Sequence, residues 1–449
     1  MTEDNMTAVA QTPDPVEALV AAIRANDAGL VKRALEDHRS LRERINEPLP
    51  NYGFEAPAII AAVNHENRAM IEVLLAAGAN INERSRWWAG SFGVLDSADG
   101  PLADYLIARG ATLDIHGAAR LGRVEEVRRF LAADATLVHA RGGDGQLPLH
   151  FAATLEIAKL LVAAGAEIDA RDIDHESTAA QYMVCLKPYR HEIVSYLLGL
   201  GAESDILMAA AVGDVGLVTR MLDSDPDAVK TQVSKKYFPK KNPCAGGCIY
   251  FFGFGGGNAP HRIAHEFGHK EVLALLMERS APWLQLAQAC EIGDGALARR
   301  IVADHPDVIA KLKGRAAARI VGAASRNNAR AVELMLEAGW PVAVANDLNQ
   351  TPLHYAAWFG NGRLAKELIE RGAMVNVFEN EYGGSPLAWA LHGSLHCWAR
   401  AKGDYPAVTR VLLAAGAQLP QVDGPLQAAE DVLLVLGEQA GGQATPVNG

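Results

Sequence analysis

The sequence predicts an all-α solenoid, a stack of short helix pairs, and three observations carry that expectation. Hydrophobic residues make up 49% of the 449-residue chain but aromatics only 6%, and much of the apolar count is Ala and Leu, which favours helix over sheet. A helix-ending Gly-Ala pair recurs at Gly78, Gly110, Gly165, Gly201, Gly372 and Gly416, with Gly339-Trp340 as a variant, and several intervals are close to about 33 residues. Two segments also repeat one another, LPLHFAATLEIAKLLVAAGAEIDARD at 147–172 and TPLHYAAWFGNGRLAKELIERGAMVNVFEN at 351–380. In a solenoid each repeat buries its apolar face against its neighbours, so length measures repeat number and separate globular domains are not needed.

Taken in order, residues 1–14 have neither a basic start nor an apolar core, so they predict a flexible N-terminus and no signal peptide. A helix pair of one flavour, built on A-x-x-G-D and ending in an Asp-Pro-like turn, is expected at Ala209 to Val229 and Ala287 to Ile309. Gly117 to Val138 is similar, and Ala21 to Leu41 fits more loosely. Pairs of the second flavour are expected at 56–83, 147–172, 259–281 and 347–380. The last shows the physical logic. Thr351 can cap a helix, and Pro352 sits at the first helical position, where its missing N–H costs little. Ala356 and Ala357 permit close helix approach, Leu368 and Ile369 fill the interface, and Gly372 supplies a left-handed stop. One pair of the first flavour followed by about two of the second, four times over, gives roughly twelve helix pairs across 15–436. The pattern fails at Arg86 to Gly100, at a long irregular insertion near 230–258, and at His392 to Tyr405; residues 437–449 read as a disordered tail.

The T-P-L-H-x-A start and the L-L-x-x-G-A end resemble the ankyrin repeat, most closely at 147–172 and 347–380. The resemblance implies an ankyrin-repeat solenoid whose concave groove binds protein partners. With 42 basic against 53 acidic residues and a net charge of −11, a general nucleic-acid binder is not expected. No run of 18 apolar residues predicts a membrane span, and five Cys argue against a secreted disulfide framework. The expectation is a cytoplasmic, monomeric protein.

Candidate contact residues lie where the pattern fails. KTQVSKKYFPKK holds five of the thirteen lysines, and with Lys235, Lys236, Lys240 and Lys241 around Tyr237 it makes a positive patch in an acidic chain. Tyr250 and Phe252 follow, and the apolar run around them argues that the insertion folds back. Trp87 and Trp88 near one end, and Trp358, Trp389 and Trp398 near the other, are aromatic groups of the kind that anchor a partner. Trp389, His392, His396 and Trp398 predict one lengthened helix, with Cys397 beside His396 yet unable to face it.

Cys244, Cys248, His261 and His265 have the spacing of a two-Cys, two-His zinc site, set against a rival reading of two buried His on an ordinary first helix. Asp169, Asp172, Asp174, His175 and Glu176 cluster in a finger turn, where Asp ordinarily caps and turns the chain. No nucleophile elbow, metalloprotease helix or P-loop occurs, so no catalytic residue is nominated and no cofactor other than zinc. The leading expectation is a binding scaffold. The alternative is an enzyme or small-molecule binder with a pocket between the insertion 230–258 and the groove near His261 and His265.

Overall fold

A computed structural model of the chain describes residues 14–422 and 424–441. Among these residues the structure is helical, without a β-sheet; the extended pairings are isolated bridges, Pro48 to Pro57 and Arg171 to Thr178. No described helix is long and apolar enough to cross a membrane. The chain divides into two compact units, Met1–Met208 with Val233–Gly255, and Ala209–Gln232 with Gly256–Gly449.

In the first unit, helix pairs are Pro15–Arg24 with Ala28–Asp37, Ala58–Asn64 with Arg68–Ala76, Ile115–Arg120 with Val124–Ala133, Pro148–Phe151 with Leu155–Ala163, and Ala179–Cys185 with His191–Gly199. In the second they are Pro260–Glu266 with Lys270–Glu278, Pro282–Glu291 with Gly295–Asp304, Arg319–Ser325 with Ala329–Glu337, Pro352–Trp358 with Gly362–Glu370, and Pro386–His396 with Tyr405–Ala414. The second helix of many pairs opens on an Asp or Asn whose side chain accepts a backbone N–H, as Asn67 does from Met70 at 3.0 Å and Asp214 from Leu217 at 2.8 Å. Gly165 and Gly372 stop their helices at φ +98° and +96°, the left-handed backbone expected of them.

The recurrent histidine has a stitching role. His354 Nδ1 accepts from the Thr351 N–H at 3.1 Å and meets the Thr351 hydroxyl at 2.9 Å, which leaves Nε2–H to donate to the Gly384 carbonyl at 3.2 Å. His150 does the same with Leu147 and Ser177, each at 3.2 Å. One imidazole thus closes its own helix start and holds the next finger. Burial pushes the His150 ring down to about 4 and the His354 ring below its ordinary value, favouring the neutral form this bonding needs.

Three local expectations change. Leu160, expected like Leu368 to hold adjacent repeats together, is only half-buried, the buried positions of its helix being Ile157, Ala158 and Leu161, whereas Leu368 is buried as expected. The lengthened helix ends at His396, so Trp398 lies beyond it. The last helix runs Glu430–Gly441, past residue 436, where the solenoid was expected to end. The expected flexible N-terminus and most of the expected tail fall outside the described residues. Between residues 85 and 99, Trp87 packs edge-on against Phe54 at 5.2 Å and Trp88 at 6.2 Å, and Phe92 meets Phe54 at 5.0 Å, so aromatics fill the place of a regular finger.

Candidate functional site

Within the first unit the insertion segment Val233–Gly255 folds back onto the finger and helix at 171–185. Backbone groups do much of the fastening. The N–H groups of Lys241 and Asn242 donate to the Glu176 carboxylate at 2.7 and 2.8 Å, Gly246 donates to the Asp174 carbonyl at 2.8 Å, and Ile249 to the Ser177 hydroxyl at 3.0 Å. A Cβ on Gly253 would lie 2.4 Å from Cys185 Sγ and 2.7 Å from its carbonyl oxygen, so only glycine fits that approach.

The fold-back borders a half-open cavity of about 490 Å³. Arg171 and Lys241 share its wall with the acidic side chains of Asp172, Glu176, Glu203 and Asp205, and Tyr237, Phe238 and Cys248 also line it. His261 and His265 are not among its lining residues. At the wall, Asp205 caps the helix beginning at Ile206 through the N–H groups of Leu207 and Met208, and accepts the Tyr250 hydroxyl at 2.9 Å. Burial pushes the carboxyl of Asp205 and the phenol of Tyr250 above their ordinary values, and the three hydrogen bonds that Asp205 accepts oppose the shift of its carboxyl.

Tyr250 is therefore a wholly buried anchor of the insertion rather than a surface contact, which corrects its expected role. Phe252 stays 62% exposed, its ring 4.9 Å from that of His175. Lys235, Lys236, Lys240 and Lys241 are exposed and Tyr237 half-buried. The Lys236 ammonium lies over the Tyr237 ring at 4.6 Å, and that of Lys240 donates to the carbonyls of Pro243 and Ala245 at 2.9 Å.

The four predicted zinc ligands divide between the units. Cys244 is exposed, and the Cys248 thiol takes weak contacts from Ser177 and Gln181 at 3.6 and 3.9 Å. In the second unit His265 is exposed, while His261 is wholly buried, its Nε2 at 2.9 Å from the Ser280 hydroxyl and 3.3 Å from the Leu276 carbonyl. His261 aligns with Leu353, which is equally buried, so this histidine occupies a core position. Among the described residues, the metal-ligating side chains that converge are instead Asp144, Asp174 and His175.

A second concavity lies in the other unit, with a volume of about 620 Å³. Tyr355, Trp358 and Trp389 form its wall, with Trp389 edge-on to Tyr355 at 5.2 Å and to Trp358 at 6.1 Å. Tyr382 and Trp398 stand at its rim, 80% and 78% exposed, and His392 lies along Trp358 at 5.8 Å. Glu379 shapes the loop that carries Tyr382. Burial pushes its carboxyl up, but the N–H groups of Gly384, Glu381 and Tyr382, at 2.7 to 2.9 Å, outweigh that and hold it below the ordinary value. Sequence reasoning found the three tryptophans and missed both tyrosines. Tyr355 fills the free position of T-P-L-H-x-A and Tyr382 follows the finger, so a shared face with Trp389 was the available signal.

Residues 320–423 match the family model for ankyrin repeats in three copies, and residues 144–173 match that for the ankyrin repeat. No curated protein matches the chain.

Proposed function

Because the chain carries ankyrin repeats at 144–173 and 320–423, we propose that it is a non-catalytic scaffold that binds a protein partner, and that the aromatic cavity of the second unit is its anchor. The repeat reading extends to about twelve ankyrin-like pairs over 15–436. The observation that carries the anchor is Tyr355, Trp358, Trp389, Tyr382 and Trp398 on one 620 Å³ cavity, two of them left largely in water. Isolated surface aromatics need no explanation, but contiguous ones mark binding sites. Trp and Tyr faces attract a Lys or Arg head as well as an aliphatic stem, and a chain of net charge −11 favours a basic partner segment.

Capture from native lysate by the full chain tests this. The partner is expected to be retained by wild type and lost or weakened about tenfold or more by combined Tyr382→Ala and Trp398→Ala, exposed positions whose replacement leaves the melting temperature unchanged. Identical retained sets would remove the cavity from the account.

A second reading, a small-molecule site, is supported by the cavity beneath the insertion, whose wall carries Arg171 and Lys241 together with four acidic side chains. Native mass spectrometry of purified chain would detect a bound small molecule, and its persistence in Lys241→Ala with Tyr237→Ala would refute that reading.

A further inference from the structure

We propose that Asp144, Asp174 and His175 form a binding site for one first-row divalent cation of the zinc or manganese type, which fastens the insertion to the two fingers beneath it. The site begins with a tight turn. Asp144 stands between Gly143 and Gly145 at φ +55°, and its carbonyl accepts the N–H groups of Ile173 and Asp174 at 2.9 and 3.1 Å. A Cβ on Gly145 would lie 2.4 Å from Ile173, so the two fingers meet closely enough to bring the side chains of Asp144, Asp174 and His175 together.

The neighbouring Asp172 shows what a structural aspartate does in this turn. Its oxygens accept the His175 N–H at 2.8 Å, the Ser177 N–H at 2.7 Å and the Tyr182 hydroxyl at 3.0 Å. Asp144 and Asp174 are different. Asp174 Oδ1 accepts the Gly246 N–H at 3.0 Å, but its Oδ2 lies 3.6 Å from His175 Nε2. Asp144 Oδ2 lies 3.9 Å from the same nitrogen, and Asp144 Oδ1 is buried without a hydrogen bond. The indole N–H of Trp87 acts on that carboxyl but stops short of a hydrogen bond and is left unpaired itself.

The imidazole supplies the chemical argument. His175 Nδ1 lies 3.0 Å from the Gly247 carbonyl, which can only accept, so Nδ1 carries the proton. In the neutral ring Nε2 then points a lone pair at two carboxylates, an arrangement that repels unless something positive sits between them. The gaps of 3.6 and 3.9 Å are too long for direct N–H to oxygen bonds, for which about 2.9 Å is usual. They are close to the roughly 3.3 Å that separates ligands sharing one ion at bond lengths of about 2.0–2.2 Å. A histidine whose other nitrogen donates to a backbone carbonyl is the supporting arrangement that metal-bound imidazoles use. Two carboxylates and one imidazole neutralise a dication, and the mixed nitrogen and oxygen donors favour zinc or manganese over magnesium or calcium. Gly246 and Gly247 belong to the insertion, so occupancy would tie it to both fingers.

The test is titration of the chelator-treated full chain with Zn²⁺ and Mn²⁺, with Mg²⁺ and Ca²⁺ as comparisons, read by calorimetry, thermal melting and proteolysis within 233–255. The expected result is one equivalent of Zn²⁺ or Mn²⁺ bound, a raised melting temperature and slower cleavage. Affinity should fall about 100-fold or more in both Asp144→Asn and His175→Gln and stay unchanged in Cys244→Ser with Cys248→Ser. Failure of wild type to bind at millimolar ion would overturn the site and leave the cluster an ion pair with protonated His175. Unchanged binding in both ligand variants would overturn it too, as would loss of binding in the cysteine variant.

Discussion

Replacing His261 by Leu tests the account of the second unit at a single atom group. His261 is wholly buried, and burial pushes its ring down to about 3. A histidine with a depressed folded value stabilises the fold fully above its unfolded value of about 6.5 and less as pH falls towards the folded value. Between pH 7 and pH 5 the unfolded chain takes up most of a proton at this residue and the folded chain almost none. The loss is about 2 kcal/mol, and it changes little if the folded value lies anywhere below about 4. His261→Leu removes the titration and restores the residue found at the equivalent Leu353, with the Ser280 hydroxyl still donating to the Leu276 carbonyl at 2.7 Å. Urea unfolding followed by tryptophan fluorescence is the assay, since five of the seven tryptophans belong to this unit. Wild type should lose about 2 kcal/mol more than the variant between pH 7 and pH 5, or roughly 0.7–1 M in midpoint. Equal pH dependence in the two proteins would refute the buried, neutral assignment of His261.

Three further outcomes are expected. Leu161→Ala should destabilise the first unit by about 2–5 kcal/mol and Leu160→Ala by less than half as much, read as urea midpoints, because only Leu161 is fully buried. Gly253→Ala should loosen the insertion by about 1–3 kcal/mol and speed proteolysis within 233–255, since its Cβ meets both the sulfur and the carbonyl of Cys185. Tyr250→Phe should lose about 1–3 kcal/mol, because it leaves a buried Asp205 oxygen without its hydroxyl partner; hydrogen exchange at Leu207 and Met208 would report it.

The helical class and much of the repeat register were legible because their determinants are local. Pro352 at a helix start, Asp214 as a cap and Gly372 as a stop act within a few residues of themselves, and a sequence displays them directly. Leu160 and Leu161 differ by about 100° around one helix, a distinction that a run of adjacent apolar residues does not mark. The candidate site was only partly legible. Trp358, Trp389 and Trp398 stand out as rare residues, but Tyr382 joins them through a loop shaped by the buried Glu379 carboxylate, which reads in sequence as one more acidic residue.

The insertion shows where local reading gives out. Its anchors reach from 246 to 174, from 247 to 175 and from 249 to 177, across some seventy residues, and on the insertion's side they are made by backbone groups that every sequence possesses. The Cys244, Cys248, His261 and His265 spacing offered a sharper pattern, yet His261 fills a leucine position in a helix core. Asp174 and His175 lie in a finger turn, where aspartates ordinarily cap and turn the chain. Asp172 does that capping, which releases Asp174 towards His175, and Asp144 arrives from the preceding repeat. A site assembled from two fingers and held against an insertion has no spacing of its own. It becomes visible only when the bonding of each carboxylate oxygen is followed individually.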